Sequence, residues 1–466
     1  MNSRQEQPPA PASKGLPLWL ASEATLPQLL AQFEPHLQVW VRANAFTAER
    51  YRVLGLPGED GALAGAIAGL GAAPGPDSLS LWDGAALAER LPNHAWRLVQ
   101  PLSQAAATRL WLGWRLGSQR LQNYRSLPKA GHGAQLERPA GADAAYAEAA
   151  ASALNAARNL INAPPNLCGP DELQQAAEQL SQRFNGQTSV CIGPKLATEY
   201  PLVEAVGRGS PRAPRLIDCR WRNPGKPRVT LVGKGVCFDS GGLDIKPPAG
   251  MLLMKKDMGG AACALALAEL LLAMRAPIEL RLLIPAVENA VDGASFRPGD
   301  VCTSRKGLTV EIGNTDAEGR LILADALTEA DGDRPDLLID MATLTGAART
   351  ALGPELPAVF SPDAALARSL HQLAEEEEDP LWPLPLWAGY DEELASRVAD
   401  MNNVSSGAFA GAIIAALFLK RFVTATSTWL HVDLYAWNPK ERPGRPLGAE
   451  AQCVRALYRL IRQRCG

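Results

Sequence analysis

Histidine is scarce in this chain: 466 residues hold five, at His36, His94, His132, His371 and His431. No two stand within ten residues of each other, which excludes H-E-x-x-H and the related helical zinc signatures. The eight cysteines form no C-x-x-C pair, so neither a zinc ribbon nor a thioredoxin-like centre is expected. All of them lie beyond residue 167, scattered as the reduced thiols of a cytoplasmic protein would be. Charge of one sign is not in excess either. With 46 basic and 49 acidic residues the net charge is −3, which argues against a nucleic-acid partner despite the arginine-rich run at 208–228. The longest apolar run, Met258 to Met274, is interrupted by Glu269 and is too short for a membrane span. The start of the chain, MNSRQEQPPAPASKG, has no apolar segment and does not support a secretory signal. The G-x-S-x-G elbow, the G-x-x-x-x-G-K-[ST] phosphate loop and the G-x-G-x-x-G fingerprint are absent as well.

What is present is ample core material, with 47% hydrophobic residues in a length that suits two domains. Residues 1–142 read as a smaller α/β domain. There β-prone runs (LQVWV, YRVLGL, WRLVQP) alternate with helical stretches such as Ala105 to Asn123, and loops are expected at Gly71–Pro76 and Ala130–Ala142. Residues 143–166 read as a connecting helix that Pro164 and Pro165 end. Residues 167–466 repeat strand then helix, with the apolar runs VTLVG, ELRLLIPAV and DLLIDMA as strands buried on both faces. That pattern predicts a mostly parallel central sheet covered by helices, with ligands at the carboxyl ends of its strands.

Charged residues concentrate at the expected strand ends. VGKGVCFDSGGLDIKP (232–247) places Lys234, Asp239 and Lys246 on a glycine-rich loop. In MKKDMGG, Asp257 precedes an apolar helix, where a carboxylate could serve simply as a cap. In NTDAEGRL, an extended backbone would turn Asp316, Glu318 and Arg320 to one side. Taken singly, each has an ordinary structural explanation, and Asp316–Arg320 could be a solvated ion pair. Four carboxylates converging on one sheet edge would repel and would need cations. The lysines and arginine could serve, but divalent metals do so more completely. A donor set rich in oxygen and poor in histidine suits Mn²⁺ or Mg²⁺, with Zn²⁺ open.

These three segments, in this order, resemble the leucyl (cytosol) aminopeptidase family, peptidase family M17. The likeness continues through NLINAPPN, RPGDV, DMATLTGAA, AGAIIAALFL and WLHVD, across the C-terminal 300 or so residues. It implies a metal-dependent aminopeptidase (a hydrolase) that removes an N-terminal residue, leucine or another apolar one preferred, through a dimetal-bound hydroxide. Two divalent ions (Mn²⁺ or Zn²⁺) per subunit are implied, one held by Lys234, Asp239, Asp257 and Glu318. The second would be held by Asp239, Asp316 and Glu318. Lys246 and Arg320 would be the catalytic side chains outside the ligand set, Arg320 holding a bicarbonate. Met254, Thr343, Leu344, Gly346 and Tyr435 would bind the substrate, and the family's assembly implies a homohexamer. A neutral Lys234 is required for it to donate to a metal. A charged Lys246 would stabilise the developing oxyanion. His431, alone in a β-prone run, is expected in the core rather than in the site. After WLHVD the bulky Tyr435 and Trp437 stand where many members have small residues, which implies a narrower or more aromatic pocket.

Overall fold

The computed structural model describes residues 15–118, 124 and 133–466. The chain divides into two compact units, Met1–Ala151 with Arg442–Gly444 and Ser152–Glu441 with Arg445–Gly466. The division falls inside the helix Ala144–Asn162.

In the first unit, β1 (Leu16–Ala21), β2 (Val53–Pro57), β3 (Leu63–Gly69), β4 (Ala95–Leu98) and β5 (Gln135–Leu136) form a sheet ordered β2-β3-β1-β4-β5. Its pairs are parallel except β2 with β3. The run LQVWV, expected as a strand, lies instead in the helix Pro35–Ala43. Leu37 and Val41, four residues apart, pack into one cluster while Val39 and Trp40 are exposed, so helical spacing governs burial here. Pro35 opens that helix, where its missing N–H costs nothing. The helix expected over 105–123 runs over Gln104–Ser118, and residues 119–123 lie outside the described residues. It packs closely on the helix Leu81–Arg90: a Cβ on Gly113 would stand 1.9 Å from the Leu81 carbonyl oxygen. Of the loop expected at Ala130–Ala142, residues 133–142 are described, and they include the short β5.

In the second unit the strands are β6 (Gln187–Ile192), β7 (Arg215–Trp221), β8 (Arg228–Gly233), β9 (Gly235–Asp239), β10 (Glu279–Asn289), β11 (Val301–Thr303) and β12 (Thr309–Glu311). They continue with β13 (Leu337–Ala342), β14 (Ala358–Phe360), β15 (Trp382–Pro383), β16 (Met401–Asn402) and β17 (Trp429–Asp433). The main sheet is ordered β15-β14-β17-β13-β8-β10-β7-β6, with β9 paired to the far end of β10. Its centre, β17-β13-β8-β10, is parallel, and antiparallel β14 and β7 flank it. The apolar runs read as buried strands are β8, β10 and β13, and their burial is nearly continuous. The helices Gly259–Ala273 and Glu318–Gly332 pack on all three of these strands. The first is buried along most of its length, because alanine and glycine let it approach the sheet: a Cβ on Gly260 would stand 2.1 Å from the Met341 carbonyl oxygen. Its one charge, Glu269, is paired with Arg183 at 2.6 Å. Among the described residues no helix is long and apolar enough to cross a membrane.

The arginine-rich run lies on β7, β8 and their flanking loops, where Arg212, Arg215 and Arg220 pair with Glu288, Asp171 and Asp218. His431 is fully buried in β17, its Nδ1 2.6 Å from Asp340 Oδ1.

Candidate metal centre

The parallel strands β8, β10, β13 and β17 end on one edge of the sheet, and the segments leaving them carry the charged residues. All twelve residues named above as ligands, catalytic groups or substrate contacts line one cavity of about 410 Å³.

Lys234 follows β8 directly and is fixed by its backbone, which donates to Met341 O at 3.0 Å and accepts from Ala261 N at 2.9 Å. Its ammonium stands 2.7 Å from Asp257 Oδ2 and 3.1 Å from Glu318 Oε1, and donates to Thr343 O at 2.8 Å. Gly319 is what lets this side chain lie against the following helix: a Cβ there would come 2.5 Å from Lys234 Cε. Asp239 closes β9 rather than sitting on an open loop. Its Oδ1 accepts from Gly241 N at 2.8 Å and Asn289 Nδ2 at 2.9 Å, and its Oδ2 is 2.7 Å from Lys246 Nζ. Lys246 also bonds Asp316 Oδ1. Asp257 sits in a 3-10 turn, Met254–Met258, one step before the apolar helix, and Thr343 Oγ1 donates to its Oδ1 at 2.7 Å.

The NTDAEGRL segment is not extended. Asp316 lies in a turn, Glu318 begins the helix Glu318–Gly332 and Arg320 is in its first turn. The turn is pinned by side chains distant in sequence: Asp244 Oδ2 accepts from Thr315 N at 2.7 Å, and Asn403 Oδ1 accepts from Gly313 N at 2.8 Å. Thr315 Oγ1 donates to Gly241 O at 2.6 Å, which ties this turn to the glycine loop after Asp239. The three charges therefore converge through a turn and a helix N-terminus instead of strand alternation.

Asp239, Asp316 and Glu318 each place one carboxylate oxygen within 4.8 Å of the others, as a shared cation requires. Among the described residues, buried Glu318 Oε2 has no hydrogen-bond partner. Burial, then the Asp239 charge, pushes the Asp316 carboxyl up to about 6. The same two causes push Glu318 well above the usual carboxylate range. Both lysines go the opposite way from their burial. Desolvation would lower them, but the carboxylates around them outweigh it and hold both charged. Arg320 is buried and is pushed down to about 10, chiefly by desolvation. Its Nη1 donates to Asn403 O at 2.6 Å, and its Nε has no hydrogen-bond partner among the described residues. Repelling carboxylates, an orphaned buried oxygen and an oxygen-rich donor set fit divalent metal binding.

Thr343, Leu344 and Gly346 follow β13. Asp433, at the end of β17, accepts from Leu344 N at 3.0 Å and from Thr345 N and Oγ1 at 3.1 and 2.6 Å, which shapes that loop. Met254 lies in the turn that carries Asp257. Two cations stand over the Tyr435 ring, Lys256 Nζ 4.7 Å and Arg349 Cζ 4.9 Å from its centroid. Burial pushes Lys256 down to about 8. Sequence reasoning missed Asn289, Asn403, Asp433, Lys256 and Arg349. Only Lys256 left a signal, as a second lysine beside Asp257 in MKKDMGG.

Residues 155–458 match the model of the cytosol aminopeptidase family, catalytic domain, and residues 16–137 that of the M17 aminopeptidase N-terminal domain. A probable cytosol aminopeptidase of Syntrophotalea carbinolica is 44% identical over 312 residues, 66% of this chain and 62% of that protein. Another, of Geobacter sp., is 44% identical over 326 residues, 69% of this chain and 66% of that protein. The matched stretch thus spans less than two thirds of these relatives' length. The crystal structure of cytosol aminopeptidase from Coxiella burnetii superposes with a TM-score of 0.93 at 42% identity, covering 98% of this chain and 99% of that one. The bottromycin maturation enzyme BotP in complex with Mn gives a TM-score of 0.85 at 32% identity, covering 96% and 99%.

Proposed function

Because this chain belongs to the cytosol aminopeptidase family, we propose that it is a metal-dependent aminopeptidase that removes the N-terminal residue of peptides. The observation that carries this reading is the convergence of Asp239, Asp316 and Glu318 with unbalanced charge in a cavity at the carboxyl edge of the sheet. Lys234, Asp239, Asp257 and Glu318 would hold one divalent ion, and Asp239, Asp316 and Glu318 a second, Mn²⁺ or Zn²⁺. Such a pair supplies Lewis-acid polarisation of a carbonyl and activation of a water.

The chain's own groups account for the rest. Asn289 and Gly241 aim Asp239 by donating to its Oδ1, and Thr343 does the same for Asp257. Lys234 is held charged by three carboxylates, and it would serve as a metal ligand only in its neutral form. Lys246, charged and paired with Asp239 and Asp316, would stabilise an oxyanion forming at the scissile carbonyl. Arg320 Nε has no hydrogen-bond partner among the described residues, and the planar fork suits a small oxyanion such as bicarbonate acting as a base. The free α-amino group of the substrate would sit at the Lys234–Asp257 end, which limits cleavage to the first residue.

Supported by family membership, we further assign residues 1–142, 143–166 and 167–466 to an N-terminal domain, a connecting helix and a catalytic domain, with homohexameric assembly and a cytoplasmic location. The test is to remove metal by chelation, then restore Mn²⁺, Zn²⁺ or Co²⁺ while assaying aminoacyl-p-nitroanilides and their Nα-acetylated forms. Free-amine substrates should be cleaved only after metal is restored, and acetylated ones not at all. Hydrolysis that survives complete metal removal would overturn the mechanism.

A further inference from the structure

Lys256 is the anomaly of the cavity wall. The side chain is buried, with 4% of the residue exposed, yet it lines the cavity. Among the described residues its ammonium makes no hydrogen bond and no ion pair, and it stands 4.7 Å from the Tyr435 ring centroid. The two acids whose charges act on it are already committed elsewhere. Asp257 is taken up by Lys234 and Thr343, and Asp433 by the Leu344 and Thr345 amides and the Thr345 hydroxyl. A buried cation without an anion is costly, and a ligand that brings a carboxylate offsets that cost with a charge-assisted bond. The rest of the wall says where that carboxylate must be. Tyr435 carries Lys256 against one side of its ring, and the exposed Arg349 also stands over the ring. Leu253, Met254 and Leu344 give the same cavity apolar surface. A short aliphatic stem ending in an anion matches this combination better than a branched apolar side chain.

We propose that Lys256, with Arg349 and Tyr435, forms an anion subsite that takes the side-chain carboxylate of an N-terminal glutamate or aspartate. The inference rests on the aminopeptidase reading and replaces the leucine preference that the family resemblance implies. The two are separable, because a chain that cleaves Leu substrates but not Glu substrates fails only here.

The test uses the full chain with Mn²⁺ restored, assaying the p-nitroanilides of Glu, Asp, Leu and Met in the wild type and in Lys256→Met, which keeps an unbranched side chain in place. The expected result is a higher kcat/KM for Glu than for Leu in the wild type, and a Glu/Leu ratio at least about tenfold lower in the variant. The wild type alone gives a second readout: free L-glutamate should inhibit more strongly than L-norleucine. A substrate's C-terminal carboxylate offers the same chemistry, so Leu-Gly is compared with its amide. A loss in Lys256→Met that follows the C-terminal carboxylate instead of the side chain overturns the proposal. So does a wild type that prefers Leu, a Glu/Leu ratio that does not change in the variant, or inhibition by norleucine alone. Absence of hydrolysis with every aminoacyl substrate would overturn this inference together with the aminopeptidase reading.

Discussion

The helix Glu318–Gly332 carries a buried carboxylate at its start and a half-buried one near its end, and the two behave in opposite ways. Glu318, at the N-terminus, is pushed far up by burial and by Asp239. Glu329, near the C-terminus, is held below the usual carboxylate range, because Arg281 and Arg305 outweigh its burial. The helix dipole alone would produce the reverse order, since it favours negative charge at the N-terminus. Neighbours decide instead. At the far end Arg281 bonds Asp218, Glu329 and Asp333 at 2.7, 2.7 and 2.8 Å, and Asp331 accepts from the Thr424, Ala425 and Thr426 amides. That network is satisfied by protein groups. At the cavity end four carboxylates share two lysines, and a buried oxygen of Glu318 is left over. A complete ion network indicates a structural role, and an incomplete one in a cavity indicates a ligand.

The comparison breaks most directly on the two glutamates themselves. Glu318→Gln should lower kcat/KM by at least about 10²-fold, the loss of several kcal/mol of electrostatic stabilisation, while the metal-free Tm holds or rises as repulsion is relieved. Glu329→Gln should do the opposite, lowering stability by about 2–3 kcal/mol because Arg281 and Arg305 lose a partner, with kcat/KM within about threefold. Urea midpoints and initial rates on both variants check this. Equal losses of stability would erase the distinction.

An effect of similar size is expected from the ion. Mn²⁺ at a hundred times its dissociation constant should stabilise the wild type by about 2.7 kcal/mol, read as a rise in Tm that Glu318→Gln abolishes and Glu329→Gln keeps. A rise retained in Glu318→Gln would place the ion elsewhere.

Acid should separate the ends as well. Asp316 is raised in the fold to about 6, so its charged form opposes folding above that pH and the penalty is relieved as pH falls through 6 towards 4. Glu329 is depressed, so its contribution is present above its unfolded value and is lost as pH falls through the lower folded one. Metal-free protein should therefore gain stability between pH 7 and 5 relative to Asp316→Asn, and Glu329→Gln should flatten the loss below pH 4.5. The smallest change is Arg220→Ala at the rim of the far network. Both it and its partner Asp333 are more than a third exposed, so about 0.5 kcal/mol or less is expected. Thermal unfolding would register a larger value as evidence that the rim is part of the buried network.

Lys234, Asp239, Asp257, Asp316 and Glu318 were named as ligands through the resemblance to a family, and the fold brings all five to one cavity, while the buried strands could be read from unbroken apolar runs. Local geometry was less legible. LQVWV looked like a strand because β-branched and aromatic residues favour one, yet tertiary burial of Leu37 and Val41 made it helical. NTDAEGRL looked extended because its charges alternate, yet Asp244 and Asn403, distant in sequence, hold it in a turn.

Residue types and their order were enough to indicate the class of fold and the absence of a histidine zinc motif, since each depends on composition or near-neighbour spacing, whereas the proposed donor set came through the family resemblance. Which acids remain unbalanced, and that Lys256 is a buried cation without a counter-charge, depends on burial and distance between residues far apart in the chain. Those quantities exist only after the sheet edge has brought the segments together. The same glutamate side chain thus becomes a candidate ligand at one end of a helix and a structural anchor at the other.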